Sequence, residues 1–175
     1  PGVHPHAGAL MLVWYAAGSI VIVWAVFQSP AVDYRMVALG SVLGVVEAPF
    51  GAGFLQTLAA PCLVLAAVMG ATVGRRLVRR RLLGIPIGMF LHLVLGGAWA
   101  NSAVFWWPAR GWSLYDDRSM ILSRGVWSVV LEAAGVGLAV WAYRGFGLDE
   151  RSRRQLFVRT GHLERAVVPG RRRVP

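Results

Sequence analysis

The sequence predicts an all-α, polytopic membrane helix bundle of about five transmembrane segments, and three observations lead there. Hydrophobic residues make up 57% of the 175-residue chain, and its mean hydropathy is +0.57. Several apolar runs approach the roughly 20 residues that a helix needs to cross a bilayer. The net charge of +10 is concentrated between and after those runs. In a soluble protein such a charge would point to nucleic acid; at segment ends it sets membrane orientation, and no nucleic-acid partner is expected. All 18 basic residues are arginine, a usage associated with GC-rich bacterial genomes, and the compartment expected is the bacterial plasma membrane. Cys62 stands alone in an apolar run, which leaves neither a disulfide framework nor a CxxC metal site.

The first segment spans about residues 9–27, between Gly8 and Gln28-Ser29-Pro30, with Trp14, Tyr15, Trp24 and Phe27 toward its ends as interfacial anchors. Residues 1–9 hold His4 and His6 but no arginine, so the segment reads as a retained anchor and not as a cleaved signal. After the polar link Asp33-Tyr34-Arg35, a second segment at 36–50 is short, crossing with tilt or re-entering, and carries Glu47 near its end. Gly40 and Gly44 within it form a GxxxG pair that lets a neighbouring helix come close. The third segment, 55–73, contains Pro61, which is expected to free the carbonyl of Thr57 and kink the helix.

Arg75, Arg76, Arg79, Arg80 and Arg81 crowd a loop that the positive-inside rule places in the cytoplasm, where it meets anionic lipid headgroups. The fourth segment starts near Leu83, has Pro86 in its first turn and a second close-approach pair at Gly84 and Gly88, and leaves through Phe105-Trp106-Trp107-Pro108. The fifth, 126–143, carries Glu132 in its apolar run, and nine arginines follow from Arg144 to Arg173. With both basic blocks inside, the amino terminus lies outside and the carboxyl terminus in the cytoplasm. Residues 1–147 then form the transmembrane domain and 148–175 a basic cytoplasmic tail. That tail is either a short amphipathic helix around Leu156, Leu163 and Val167 on anionic lipid, or a disordered extension.

His92, central in the fourth segment, is costly in a membrane unless something uses it, and the plainer alternative is a hydrogen bond to a neighbouring helix. This topology brings His6, Glu47, Gln56, His92 and Glu132 toward one leaflet. At about 1.5 Å rise per residue, Glu132 lies roughly 9 Å below the outer end of its helix, near the depth of Gly96. His92 and Glu47 are the leading metal candidates of this set, since imidazole and carboxylate suit zinc or manganese. Asp116-Asp117 reads as a solvated turn in preference to a calcium site, and Trp106, Trp107, Trp112 and Trp127 as interfacial anchors in preference to a sugar or lipid-head site. Internal repeats and paired intramembrane charges, the marks of a transporter, are absent from the sequence.

The layout resembles the bacterial family of inner-membrane metal-dependent hydrolases, small polytopic proteins with an amino-terminal His, an LPDxDHP-like turn, a THS-like helix start and an SHxxxD motif leading to a WP. Val42-Leu43-Gly44-Val45-Val46-Glu47-Ala48-Pro49 stands at the first turn and Leu55-Gln56-Thr57-Leu58 at the second. Leu91-His92-Leu93-Val94-Leu95-Gly96 stands at the third, with Trp107-Pro108 following, so the resemblance covers about residues 5–107. It implies the fold, the membrane placement and a metal site. Val45, Ala48, Gln56 and Gly96 stand where the family has acidic residues and histidines, which leaves Glu47, His92 and His4 or His6. A hydrolytic site needs enough ligands to hold the ion beside an open position for water.

Two functions are therefore expected. One is a non-catalytic member of that fold that binds membrane lipids or another membrane protein and holds no metal. The other is a metal-dependent hydrolase of a phosphoester or lipid-linked substrate at the outer interface, with Glu132 standing in for the residue lost at Gly96.

Overall fold

A computed structural model describes residues 11–28, 32–45, 53–100, 102–112 and 126–163, and among these every regular element is helical. In chain order they are α1 (Leu12–Phe27), α2 (Tyr34–Leu43), a 3-10 turn (Phe54–Gln56), α3 (Ala59–Ala71), α4 (Arg76–Leu82), α5 (Gly84–Leu95), a second 3-10 turn (Ala98–Ala100), α6 (Ser102–Phe105), α7 (Val126–Gly145) and α8 (Arg151–Thr160). Among the described residues one helix, α7, is long and apolar enough to cross a membrane; α1, α2 and α3 are apolar but shorter. At 16 residues α1 is about 24 Å long, short of a hydrocarbon layer of about 30 Å.

Glycine decides how the helices meet. Gly40 and Gly44 of α2 face Gly84, Gly88 and His92 of α5, each a helical turn apart, with the two helices running parallel. A Cβ on Gly88 would fall 2.7 Å from the Ser41 amide nitrogen and against the Val37 carbonyl, and one on Gly40 would strike the carbonyl of Ile85. Both GxxxG pairs thus lie in one seam, where backbone packs on backbone. The second contact sets α1 parallel to α7, with Gly135 admitting the backbone of Trp14. Further along, Trp24 meets Trp141 and Phe146 edge to face. Val23, Tyr34, Val37, Leu91, Phe146 and Leu163 form one buried cluster between these helices and the segment after α8.

The outer faces of α3 and α7 are apolar. On α7, Val126 is 78% exposed, and Trp127, Val129, Val130, Val136, Val140 and Trp141 are exposed as well; on α3, Leu63 is 58% exposed, with Leu65 and Met69.

Several expectations need correction. The arginine-rich stretch 75–81 is not a loop: all but Arg75 lies in α4, which runs almost directly into α5, with the Leu83 amide donating to Arg79 and the Ile87 amide to Leu83. Arginine is a good helix former, and charge clustering says nothing against a helix. Pro61 makes no mid-helix kink. The chain is extended at Thr57, the helix restarts at Ala59, and Pro61 falls in its first turn, where a missing N–H is harmless. The Thr57 carbonyl, expected to be free, accepts from the Ala60 amide. The stretch 88–108 is interrupted after Leu95 by a turn in which Gly97 takes φ +71.

The fifth segment runs on to Gly145. Within the tail, α8 is a helix, but it docks on the bundle, with Phe157 and Leu163 packed into the core while Leu156 stays exposed. Val167 and residues 46–50 of the 36–50 segment lie outside the described residues.

Candidate functional site

His92 is 2% exposed and sits where three helices converge. Its ring packs on that of Tyr15 from α1, with centroids 4.2 Å apart at 45°. On the α2 side it fills the space a side chain on Gly44 would need: a Cβ there would lie 2.8 Å from His92 Cγ and closer still to Cδ2 and Nε2. The glycine is the socket and the imidazole the knob. Neither ring nitrogen has a hydrogen-bond partner; the Ser41 backbone carbonyl lies near the ring, outside hydrogen-bond geometry.

Glu132, expected among the metal or pocket residues, lies against the start of α1. The first turn of a helix leaves backbone N–H groups without intrahelical partners, and α1 has no side chain of its own that caps them. The carboxylate of Glu132 supplies the acceptors: Val13 N–H donates to Oε1 at 3.3 Å and Trp14 N–H to Oε2 at 3.2 Å. Gly135, one turn on, allows the approach. A negative charge at that position also meets the positive end of the α1 dipole. Tyr15 shares this turn, so Glu132 and His92 both meet the start of α1, one through its backbone and the other through a ring.

Gln56 is 7% exposed, in the 3-10 turn before α3. That turn is tied to the end of α6 by the Leu58 amide donating to Phe105. The Gly96 amide donates to the His92 carbonyl and ends α5. His4, His6, Glu47 and Asp116-Asp117 lie outside the described residues. Among the described residues no group of three or more His, Cys, Asp or Glu side chains could hold a metal ion.

A second constellation forms at the opposite end of the α2–α5 seam. Asp33, 3% exposed, caps α2 by accepting from the Arg35 amide at 3.1 Å. The same carboxylate takes Arg35 Nε at 3.1 Å, Arg35 Nη2 at 3.0 Å and Arg81 Nε at 3.0 Å. Burial alone would raise its pKa, but hydrogen bonds and charge from Arg35, joined by Arg81, outweigh burial and hold the carboxyl below its ordinary value. The tail is fastened here too: the Tyr34 amide donates to the Gly161 carbonyl at 2.9 Å, and Arg35 Nη1 donates to the Val158 carbonyl. Gly161 has φ +73, and a Cβ on it would collide with the Asp33 carboxylate, so only glycine serves.

Of the five basic residues expected at lipid headgroups, Arg75, Arg76 and Arg80 are exposed, Arg79 is half-buried, and Arg81 reaches Asp33. Asp33 and Arg35 had read as a polar link, although an Asp just before an apolar run is a helix-start signal. The aromatic partner of His92 left no local signal in the sequence.

No family model, curated protein or solved structure matches this chain.

Proposed function

We propose that this protein is an integral, multi-pass plasma-membrane protein with its amino terminus outside. In this reading it is a non-catalytic relative of the inner-membrane metal-dependent hydrolases that binds lipid or another membrane protein. Glu132 carries the non-catalytic reading. A carboxylate committed to two amides of α1 has a structural task, and moving it onto a metal would leave those amides bare.

Membrane placement is supported by the apolar exterior of α3 and α7, which would be a liability in water and is ordinary against acyl chains. The proposed topology assigns Asp33, Arg81 and the tail to the cytoplasmic side, and hydrogen bonds join these segments at one end of the bundle. At the other end the 53–58 and 98–112 segments, both assigned outside, meet through Leu58 and Phe105.

Elemental analysis of the detergent-purified protein tests the reading: less than about one zinc or manganese per ten chains is expected. Stoichiometric metal, lost in His92→Ala, would put the hydrolase in its place. One observation favours that second reading, namely that both ring nitrogens of His92 are buried without a partner. An acceptor or a metal ion brought by the outer segments would then use them.

A further inference from the structure

Beside Asp33 a cleft of about 530 Å³ opens between α4 and the end of α8, a size ordinary for small-molecule sites. Its wall holds three arginines, Arg80, Arg81 and Arg159, and one carboxylate, Asp33, an excess of two positive charges. Asp33 is already engaged by Arg35 and Arg81, and Arg35 does not line the cleft. Arg80 and Arg159 therefore face the cleft with no ion-pair partner among the described residues. His162 and Thr160 complete the wall beside Arg159.

These groups come from two helices far apart in sequence, and the fold fixes them together. Asp33 draws Arg81 in from α4, while the Gly161–Tyr34 bond pins the end of α8 across the same gap. Like charges are thus held near one another by contacts that neutralise only part of them. The complement is a compact anion of charge near two with several acceptor oxygens. Guanidinium groups meet phosphate in paired hydrogen bonds, and a phosphate monoester fits on charge, size and donor geometry.

We propose that this cleft is a phosphate-binding site, with Arg80 and Arg159 as its principal ligands. The phosphate belongs either to the headgroup of a lipid such as phosphatidic acid or to a free anion. This deepens the lipid-binding part of the proposed function. It rests on the membrane reading only if the source is a lipid, because the same cleft would take inorganic phosphate in detergent solution.

The test is titration calorimetry of the full chain in uncharged detergent, with inorganic phosphate and with dihexanoyl phosphatidic acid as separate probes. Saturable one-to-one binding of at least one probe is expected. Arg80→Gln and Arg159→Gln should each weaken it about tenfold, as expected for loss of a charge-assisted contact. Arg76→Gln and Arg151→Gln remove the same charge from the same two helices outside the cleft and should weaken it less than twofold. Arg80→Lys, which keeps charge without the fork, should fall between. Lipid binding with no phosphate binding assigns the site to a headgroup, and equal binding of both assigns it to the phosphate group alone. Equal losses in all four glutamine variants would reduce the effect to a diffuse basic surface and overturn the site. Binding of neither probe would overturn it as well, while leaving the metal analysis of the His92 region unaffected.

Discussion

Glu132 of α7 caps α1, accepting the N–H groups of Val13 and Trp14 from across 119 and 118 positions of chain. An acidic residue in an apolar segment is most often suspected of holding an ion or a proton. Here it finishes the hydrogen bonding of a neighbouring helix, as a local Asp or Ser does at an ordinary helix start.

Replacing that cap should therefore be felt as stability. Glu132→Leu leaves two amides without acceptors and is expected to cost about 1–3 kcal/mol, the penalty for unsatisfied buried groups. Glu132→Gln keeps an oxygen but loses the charge and should cost about 1 kcal/mol. Thermal unfolding in detergent measures both. Unchanged stability together with altered metal content would mean that the carboxylate serves a metal.

The socket for His92 makes a second, paired prediction. Gly44→Ala forces a methyl group into the imidazole and should destabilise by about 1–3 kcal/mol, as overpacking does. Combining it with His92→Ala should recover much of that loss, giving a coupling energy of about 1 kcal/mol or more. Additive losses in the double variant would show that the ring and the glycine do not share the space.

Acid should loosen the end where Asp33 sits. Its folded-state pKa is depressed, so the stability it contributes is present above the ordinary carboxylate pKa and disappears as pH falls through the lower, folded value. Unfolding temperatures followed downward from pH 6 should drop below about pH 4 in the wild type. In Asp33→Asn the drop should be shallower, starting from a lower value at pH 6. Parallel pH profiles for the two proteins would remove Asp33 as the source.

Orientation is open to direct labelling. In a Cys62→Ala background, single cysteines at Ala7 and Ser113 should react with an impermeant thiol reagent on intact cells, and one at Ser152 should not. The reverse pattern would invert the proposed topology and place the Arg80–Arg159 cleft outside the cell.

What the sequence disclosed depended on whether a residue's meaning is carried by its own chemistry or by its neighbour's. Gly40, Gly44, Gly84 and Gly88 announced close helix approach because nothing but a missing side chain is required, and the four do meet in one seam. Charge-based placement gave no hint that Arg76 to Arg81 are helical, since orientation rules count arginines and do not consult backbone propensity. Glu132 was visible as an anomaly, but a carboxylate that caps a helix and one that ligates an ion are the same residue until the partner is known. Asp33 stands among polar neighbours, where a solvated acid raises no question. Its role became evident only when Arg81 and Gly161 arrived from other parts of the chain.

The bond between Tyr34 and Gly161 also has a consequence in time. A chain leaves the ribosome at about 5–20 residues per second, so the start of α2 is made several seconds before the glycine that closes over it. During that interval α1, α2 and α5 can pack on one another while the Asp33 end remains open. Fastening α8 is then among the later steps of assembly, and Gly161 acts as a latch on a bundle whose helices have already found one another.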